Sequence, residues 1–306
     1  MVPRLCFNIE DVGGALVAAH WPLKVRAAAI EFRDVFDNVK YGVDGCPHAS
    51  KRLVLEGSLG LNAVYIWMAA YTRIVCNVDR YSAFVTNAYL LARVHTLELC
   101  DLWSVTNVDI ASFAHMHTIR LYNLPSVTDV GIAALAHVHT LELRYLPLVT
   151  SIGIAALARV HTLWLDDLPL VTDVGIATLG RVHTLTLRHL PLVTNVSSLR
   201  NVHTLALFML QRVTTVSIAA LSRVHTLLLD DLPHVNDNGI AALANVHTLT
   251  LCRLSGVTNA GIMALAHIHT LNFYNLPFVT KVGIAALDRL RMSHVIVDGH
   301  VSYFRQ

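Results

Sequence analysis

The sequence predicts an α/β solenoid, with a row of parallel β-strands as one layer and short helices as the other. Three observations predict it. The hexapeptide Val138-His139-Thr140-Leu141-Glu142-Leu143 returns in close copies along the chain, with His-Thr pairs at His95, His117, His139, His161, His183, His203, His225, His247 and His269. The pairs are 22 residues apart, except that 20 separate His183 from His203. A period in this range marks units that bury their apolar faces only against their neighbours. Within a unit, the apolar pattern changes from alternation to helical spacing. Hydrophobic residues make up 54% of the 306 and charged residues 14%, which is ample material for a continuous core.

Taken in order, residues 1–50 carry no repeat. A short helix is expected over 11–20, stopped near Pro22, and a second over 25–36, with Val25, Ala29, Phe32 and Phe36 on one stripe. Tyr41–Ser50, with Gly42, Gly45 and Pro47, reads as a loop. From Lys51 the repeat runs in worn form, Leu53-Val54-Leu55 and Ile74-Val75-Cys76 preceding Leu97-Glu98-Leu99. In a well-formed unit, Leu141 and Leu143 point inward from a strand while Thr140 and Glu142 point out. Pro147 then ends ladder pairing. Thr150 caps a helical segment of about two turns. Strand, turn, helix and return within one period force the strands to lie parallel. Strands about 4.8 Å apart beside bulkier helices bend into an arc, with a parallel concave sheet and short helices on the convex side. The unit between His183 and His203 is expected to lose part of its helix. A degenerate strand at Ser293–Val297 and a polar tail, Asp298–Gln306, close the array. The expected organisation is a helical N-terminal segment or cap at 1–50, then a solenoid of about eleven units over 51–306 with a C-terminal cap.

Composition excludes several function classes. A formal charge of +2 with interspersed signs provides no basic arm, so no nucleic-acid partner is expected. No apolar run reaches the roughly 18 residues of a membrane span, so no membrane partner is expected. Five scattered cysteines and the absence of a leader pattern point to an intracellular, cytoplasmic chain. No nucleophile elbow, phosphate-cradling glycine loop or paired-histidine zinc motif is present, so neither enzyme activity nor a cofactor is expected.

The repeated pattern V-H-T-L-x-L-x-x-L-P-x-V-T-D-V-G-I-A-A-L-A resembles a leucine-rich repeat over about residues 51–297. Its second half is similar to the cysteine-containing subtype. The chain departs from that family in placing Leu102, Leu124, Leu146, Leu168, Leu190, Leu210, Leu232, Leu254 and Leu276 where an asparagine or cysteine ladder is usual. An apolar spine must take its place. Residues 22–34, Pro22-Leu23-Lys24 through Arg33-Asp34, resemble the second half of an F-box. That resemblance implies a Skp-family adaptor as partner and a role as substrate receptor of a cullin ubiquitin ligase. The plainer reading is a helical cap over the first repeat. Tandem copies this uniform also resemble repeat proteins of large DNA viruses of amoebae, which would place the chain in a virion or an infected host cell.

Sites are expected where otherwise identical units disagree. The outward strip includes Arg120 and Tyr122; Glu142, Arg144 and Tyr145; Trp164, Asp166 and Asp167; Arg188 and His189; Phe208 and Met209; and Leu228 and Asp230. Aromatic and arginine side chains of this kind are enriched at protein interfaces, so the strip is the candidate surface for a protein partner. Trp164, Tyr145, Tyr122 and Arg144 form its expected centre, and Phe208, Met209 and Leu228 an apolar patch. Asp166-Asp167 and Asp230-Asp231 are expected to be solvated charges or a contact for a basic partner. The nine histidines in one register are expected to form a structural ladder bonded to neighbouring backbone, not a metal site, because a metal needs ligands converging on one point. Acid is expected to weaken the fold through repulsion within that column.

Overall fold

The computed structural model describes residues 95–103 and 105–289, with side chains through 285, and the backbone of strands at 40–42, 52–56, 73–77, 294–297 and 300–302. The helices expected over 11–20 and 25–36, and the F-box-like stretch 22–34, lie outside the described residues. The chain divides into two compact units, Met1–Val127 and Thr128–Gln306.

In the first unit, β1 (Lys40–Gly42) pairs antiparallel with β2 (Arg52–Glu56), and β2, β3 (Arg73–Asn77), β4 (Thr96–Cys100) and β5 (Thr118–Tyr122) follow in parallel. Tyr41 and Gly42, expected in a loop, therefore belong to a strand. An antiparallel strand here occupies backbone groups that β2 would otherwise leave open at the sheet edge. Helix α1 (Asn107–Ser112) is capped locally: the amide and hydroxyl of Thr106 both donate to Asp109, at 2.8 and 2.7 Å.

The second unit repeats the plan with little variation. Its strands are β6 (Thr140–Arg144), β7 (Thr162–Asp166), β8 (Thr184–Arg188), β9 (Thr204–Phe208), β10 (Thr226–Asp230), β11 (Thr248–Cys252), β12 (Thr270–Tyr274) and β13 (His294–Val297). From β6 to β12 all pairings are parallel and in register, threonine beside threonine. The expected polar tail contributes β14 (His300–Ser302), which turns back antiparallel on β13. Helices α2 (Asp129–Ala134), α3 (Ser151–Ala156), α4 (Asp173–Ala177), α5 (Thr215–Ala219), α6 (Asp237–Ala241), α7 (Asn259–Met263) and α8 (Lys281–Arg289) form the other layer. Thr150 caps α3 as expected, accepting from the Ile152 amide at 3.2 Å.

Between the layers runs a core whose places recur in every unit. Leu141, Leu143, Leu146, Val149, Ile154 and Leu157 are each 0% exposed, and each such leucine contributes roughly 1.5–3 kcal/mol by burial. The leucine column from Leu102 to Leu276 is buried throughout, so an apolar spine does replace the asparagine ladder. In the short unit the two missing residues come out of the helix. A 3-10 turn, Ser197–Asn201, replaces it, and Val196 and Leu199 fill the core at the isoleucine and leucine places.

The units are joined by a bond that the sequence pattern alone does not suggest. The first helical residue of one unit accepts from the helix cap of the next: Asp129 takes the Thr150 amide at 2.7 Å and hydroxyl at 2.6 Å, and Asp173 and Asp237 do the same for Thr194 and Thr258. Ser151 and Asn259 likewise accept the amides of Thr172 and Thr280, and Asn259 donates its side-chain amide to the Thr280 hydroxyl. This close approach is why the third helical residue is glycine: a Cβ at Gly153 would meet Asp129 Oδ1 at 2.6 Å, and one at Gly175 would meet Ser151 Cα at 2.9 Å. Ser217 stands at that place only in the helix that follows the 3-10 turn.

Candidate protein-binding face

Strands β4 to β12 bury their second and fourth residues and leave the first and third part-exposed, as they do the fifth except on β7 and β10, where it is buried. The third and fifth places carry most of the variable strip. On β6, β7 and β8 they bring together Glu142, Trp164 and Thr186 in one row, and Arg144, Asp166 and Arg188 in the next. The Arg144 guanidinium lies 4.8 Å from the centre of the Trp164 ring and pairs with Glu142, a cation–π and ion-pair arrangement that holds both side chains on the sheet. Among the described residues, Trp164 Nε1 is buried without an acceptor. On β4 and β5, Glu98 and Arg120 face each other at 3.5 Å, beside Tyr122.

The residue after each strand from β4 to β12 is in the left-handed region. Asp101, Asn123, Tyr145, Asp167, His189, Met209, Asp231, Arg253 and Asn275 all have φ between 47° and 56°. The cause lies in the backbone: in this turn the amide still donates to the next strand, Tyr145 to the Asp166 carbonyl at 3.1 Å and Met209 to that of Asp230 at 2.9 Å. Asn and Asp tolerate this conformation, whereas Tyr145, His189, Met209 and Arg253 sit there at a cost of order 1 kcal/mol or more. Tyr145 is 53% exposed, so it projects from the rim of the strip and not from its floor.

The expectation that the aspartate pairs are solvated is corrected. Asp166 is 3% exposed and Asp230 9%. Both end a strand facing the sheet, while Asp167 and Asp231 fall at the turn. Asp166 lies 3.9 Å from both Arg144 and Arg188. Burial pushes its carboxyl above the usual range against the pull of those two arginines. Asp230 is gripped at both oxygens by Arg253, each bond 2.7 Å, and this holds the guanidinium pKa above its ordinary value. Arg253 was not among the expected site residues. Its partner lies one unit back, and unit-to-unit offsets were the signal to follow. Phe208, Met209 and Leu228 are half-buried on β9 and β10 or just after β9, as one apolar stretch.

The histidine column differs from expectation in its partners. Its rings stack on one another, with centroids 4.3–4.7 Å apart from His139 to His269, and His95 stacks on His117 at 4.3 Å. Each Nδ1 meets the hydroxyl of the following threonine, as His161 does Thr162 at 3.2 Å, and not the neighbouring backbone. A stack of this kind does not chelate. The nitrogen lone pair lies in the ring plane, so a metal about 2.1 Å from one Nε2 stays a full stacking distance from the next plane. Among the described residues no group of three or more His, Cys, Asp or Glu is arranged to hold a metal ion, and no helix is long and apolar enough to cross a membrane.

No protein-family model matches the chain, and no curated protein matches it. Among solved structures it is similar to an internalin of Listeria monocytogenes, with 15% identity over 77% of this chain and 84% of that one and a TM-score of 0.41. It is similar to a leucine-rich-repeat protein of Leptospira interrogans, with 17% identity, 76% of this chain, 62% of that one and a TM-score of 0.48. Drosophila Toll–Spätzle complex structure provides a third likeness, with 10% identity, 90% of this chain, 49% of that one and a TM-score of 0.51. The chain thus spans about half to five-sixths of the chains it resembles. Likeness at these identities concerns the fold alone, and the repeat of parallel strand, turn and short helix is itself that of an α/β solenoid of the leucine-rich-repeat type.

Proposed function

We propose that the chain is a non-catalytic recognition scaffold that binds a partner protein on the outward face of its sheet, centred on β6 to β8 and extending over the apolar stretch of β9 and β10. The observation that carries this reading is the Glu142–Arg144–Trp164 cluster: a tryptophan on the open side of a sheet, with an arginine stacked on it and its N–H lacking an acceptor. Large aromatic and arginine anchors are the features that supply most of the binding energy at protein interfaces. Affinity chromatography from a lysate, followed by reconstitution with the purified partner, tests it. Trp164→Ala should weaken the complex by at least tenfold, and Tyr145→Ala, at the rim, by less. Undiminished affinity in Trp164→Ala would remove the proposal.

The narrower role of substrate receptor for a cullin ubiquitin ligase rests on the F-box-like residues 22–34 alone. It requires that a Skp-family adaptor co-purify with the full chain and be lost on deletion of residues 1–45, with Trp164→Ala leaving the adaptor bound.

A further inference from the structure

Both signs of charge are spread along the second unit, but between His139 and His269 the fold keeps the carboxylates off one edge. From His139 to His269 every carboxylate lies on a strand, at its exit or on the first turn of a helix: Glu142, Asp166, Asp167, Asp173, Asp230, Asp231 and Asp237. The opposite edge, where each helix ends and the next strand begins, has none. It carries the histidine column and, just before it in successive units, exposed Arg159, Arg181, Arg200 and Arg223, with His137 and His267 at the ends.

We propose that this strand-entry edge of the second unit is a docking site for a linear polyanion, a sulfated or phosphorylated polymer read by the spacing of its charges, and that acid strengthens the binding. His161, His183, His203 and His225 are exposed and stacked at 4.6, 4.7 and 4.6 Å, with interplanar angles of 11–13°, so their Nε2 edges form a straight row. Each Nδ1 is engaged by a threonine hydroxyl at 3.2 Å. A neutral ring that accepts at Nδ1 carries its proton on Nε2, and a protonated ring carries one there whatever its partner does. Protonation makes each donor cationic. A row without convergence suits an extended polymer and not a compact ion.

Several features argue against other ligands. Ring faces are covered by the neighbouring rings, which leaves no surface on which nucleobases stack. Valines flanking the row, such as Val160 and Val182, are 1% exposed, so no apolar pocket is open there to a peptide side chain. The groups facing the rings are the threonine hydroxyls on their own strands, the arginines, His137 and His267 and the amides of Asn201 and Asn245 on the preceding turns, and Glu142 further along the sheet, which is already paired with Arg144. Asp129, Asp173 and Asp237 stand at the far ends of the helices, bonded to the next unit. From His139 to His269 no carboxylate lies on this edge to compete for the row. At His161, water lost in the stack and repulsion from His139 and His183 oppose protonation, and a bound polyanion relieves that repulsion, so binding and proton uptake reinforce each other.

The test measures binding of the full chain to inorganic polyphosphate and to a sulfated polysaccharide at pH 5.5 and 7.5 and constant salt. Both polymers should bind at least tenfold more tightly at pH 5.5. Combined His161→Asn, His183→Asn and His203→Asn, which leave the rest of the column in place, should markedly reduce that pH dependence. Combined Arg159→Ser, Arg181→Ser and Arg223→Ser, all on exposed positions, should weaken binding at both pH values and lower the salt slope by about three. Arg212→Ser, at an exposed turn elsewhere, should leave binding unchanged. Equal affinity at the two pH values, an arginine triple variant that binds like wild type, or a homopolymeric single-stranded DNA that binds tenfold more tightly than polyphosphate would each overturn the proposal. Should the histidine variant fail to fold, the pH comparison and the arginine variant still decide it.

Discussion

Gly261 and Asp237 should show strong thermodynamic coupling although they lie in different repeats. A methyl group at Gly261 would overlap Asp237 Oδ1 and sit 3.2 Å from Asp237 Cα. The carboxylate cannot simply swing aside, because it holds the Thr258 amide at 2.7 Å and hydroxyl at 2.6 Å. Losing hydrogen bonds to a charged group costs about 1.5–3 kcal/mol. Alanine in place of glycine within a helix returns up to about 1 kcal/mol. Gly261→Ala alone should therefore destabilise by about 0.5–2 kcal/mol, and Asp237→Ala alone by about 1.5–3 kcal/mol. In the double variant the bonds are already gone and the overlap is relieved, so it should be no less stable than Asp237→Ala. The expected coupling is about 1.5–3 kcal/mol, read from urea denaturation midpoints of the four proteins. Asp237→Asn should cost under about 1 kcal/mol, since Asn259 already serves Thr280 with bonds of 2.8 and 2.9 Å. Costs that add to within about 0.5 kcal/mol would refute the claim that the glycine is there to admit the preceding unit's aspartate.

Three further outcomes follow from the same geometry. His161 and His247 are held below their ordinary value of 6.5, by water lost in the stack and then by repulsion from neighbouring rings. The folded chain thus binds fewer protons than the unfolded one. Stability should be full above pH 6.5 and fall below it, and a thermal midpoint unchanged between pH 7.5 and 5.5 would contradict the stacking. Arg253→Ala strands the nearly buried Asp230 carboxylate and should destabilise by about 1–3 kcal/mol, whereas Arg253→Ala with Asp230→Asn should recover part of the loss; no recovery would mean the pair does not act as a unit. Burial, then the negative charge of Asp230, raises the Cys252 thiol to about 11, with Arg253 opposing. Alkylation at pH 8 should therefore be much slower for Cys252 in the folded chain than after unfolding, and equal rates would place it in solvent.

Some features are legible along the chain. The 22-residue recurrence, the alternation around Leu141 and Leu143, the threonine caps and the leucine spine follow from local pattern, because strand and helix periodicity and capping act between residues close in sequence. The shortened helix before His203 could be read from two missing residues. What the repeat does not reveal is how residues about one period apart meet. Tertiary structure decided that Asp129 caps the next helix and thereby requires Gly153, that Asp166 and Asp230 are buried while Asp167 and Asp231 are not, and that Tyr145 adopts a left-handed conformation at the rim. It also decided that imidazoles stack on one another and that, from His139 to His269, the carboxylates stay off the strand-entry edge. A linear pattern specifies which residues occupy equivalent places, but contacts between equivalent places depend on the spacing and register of neighbouring strands, which exist only once the units have packed.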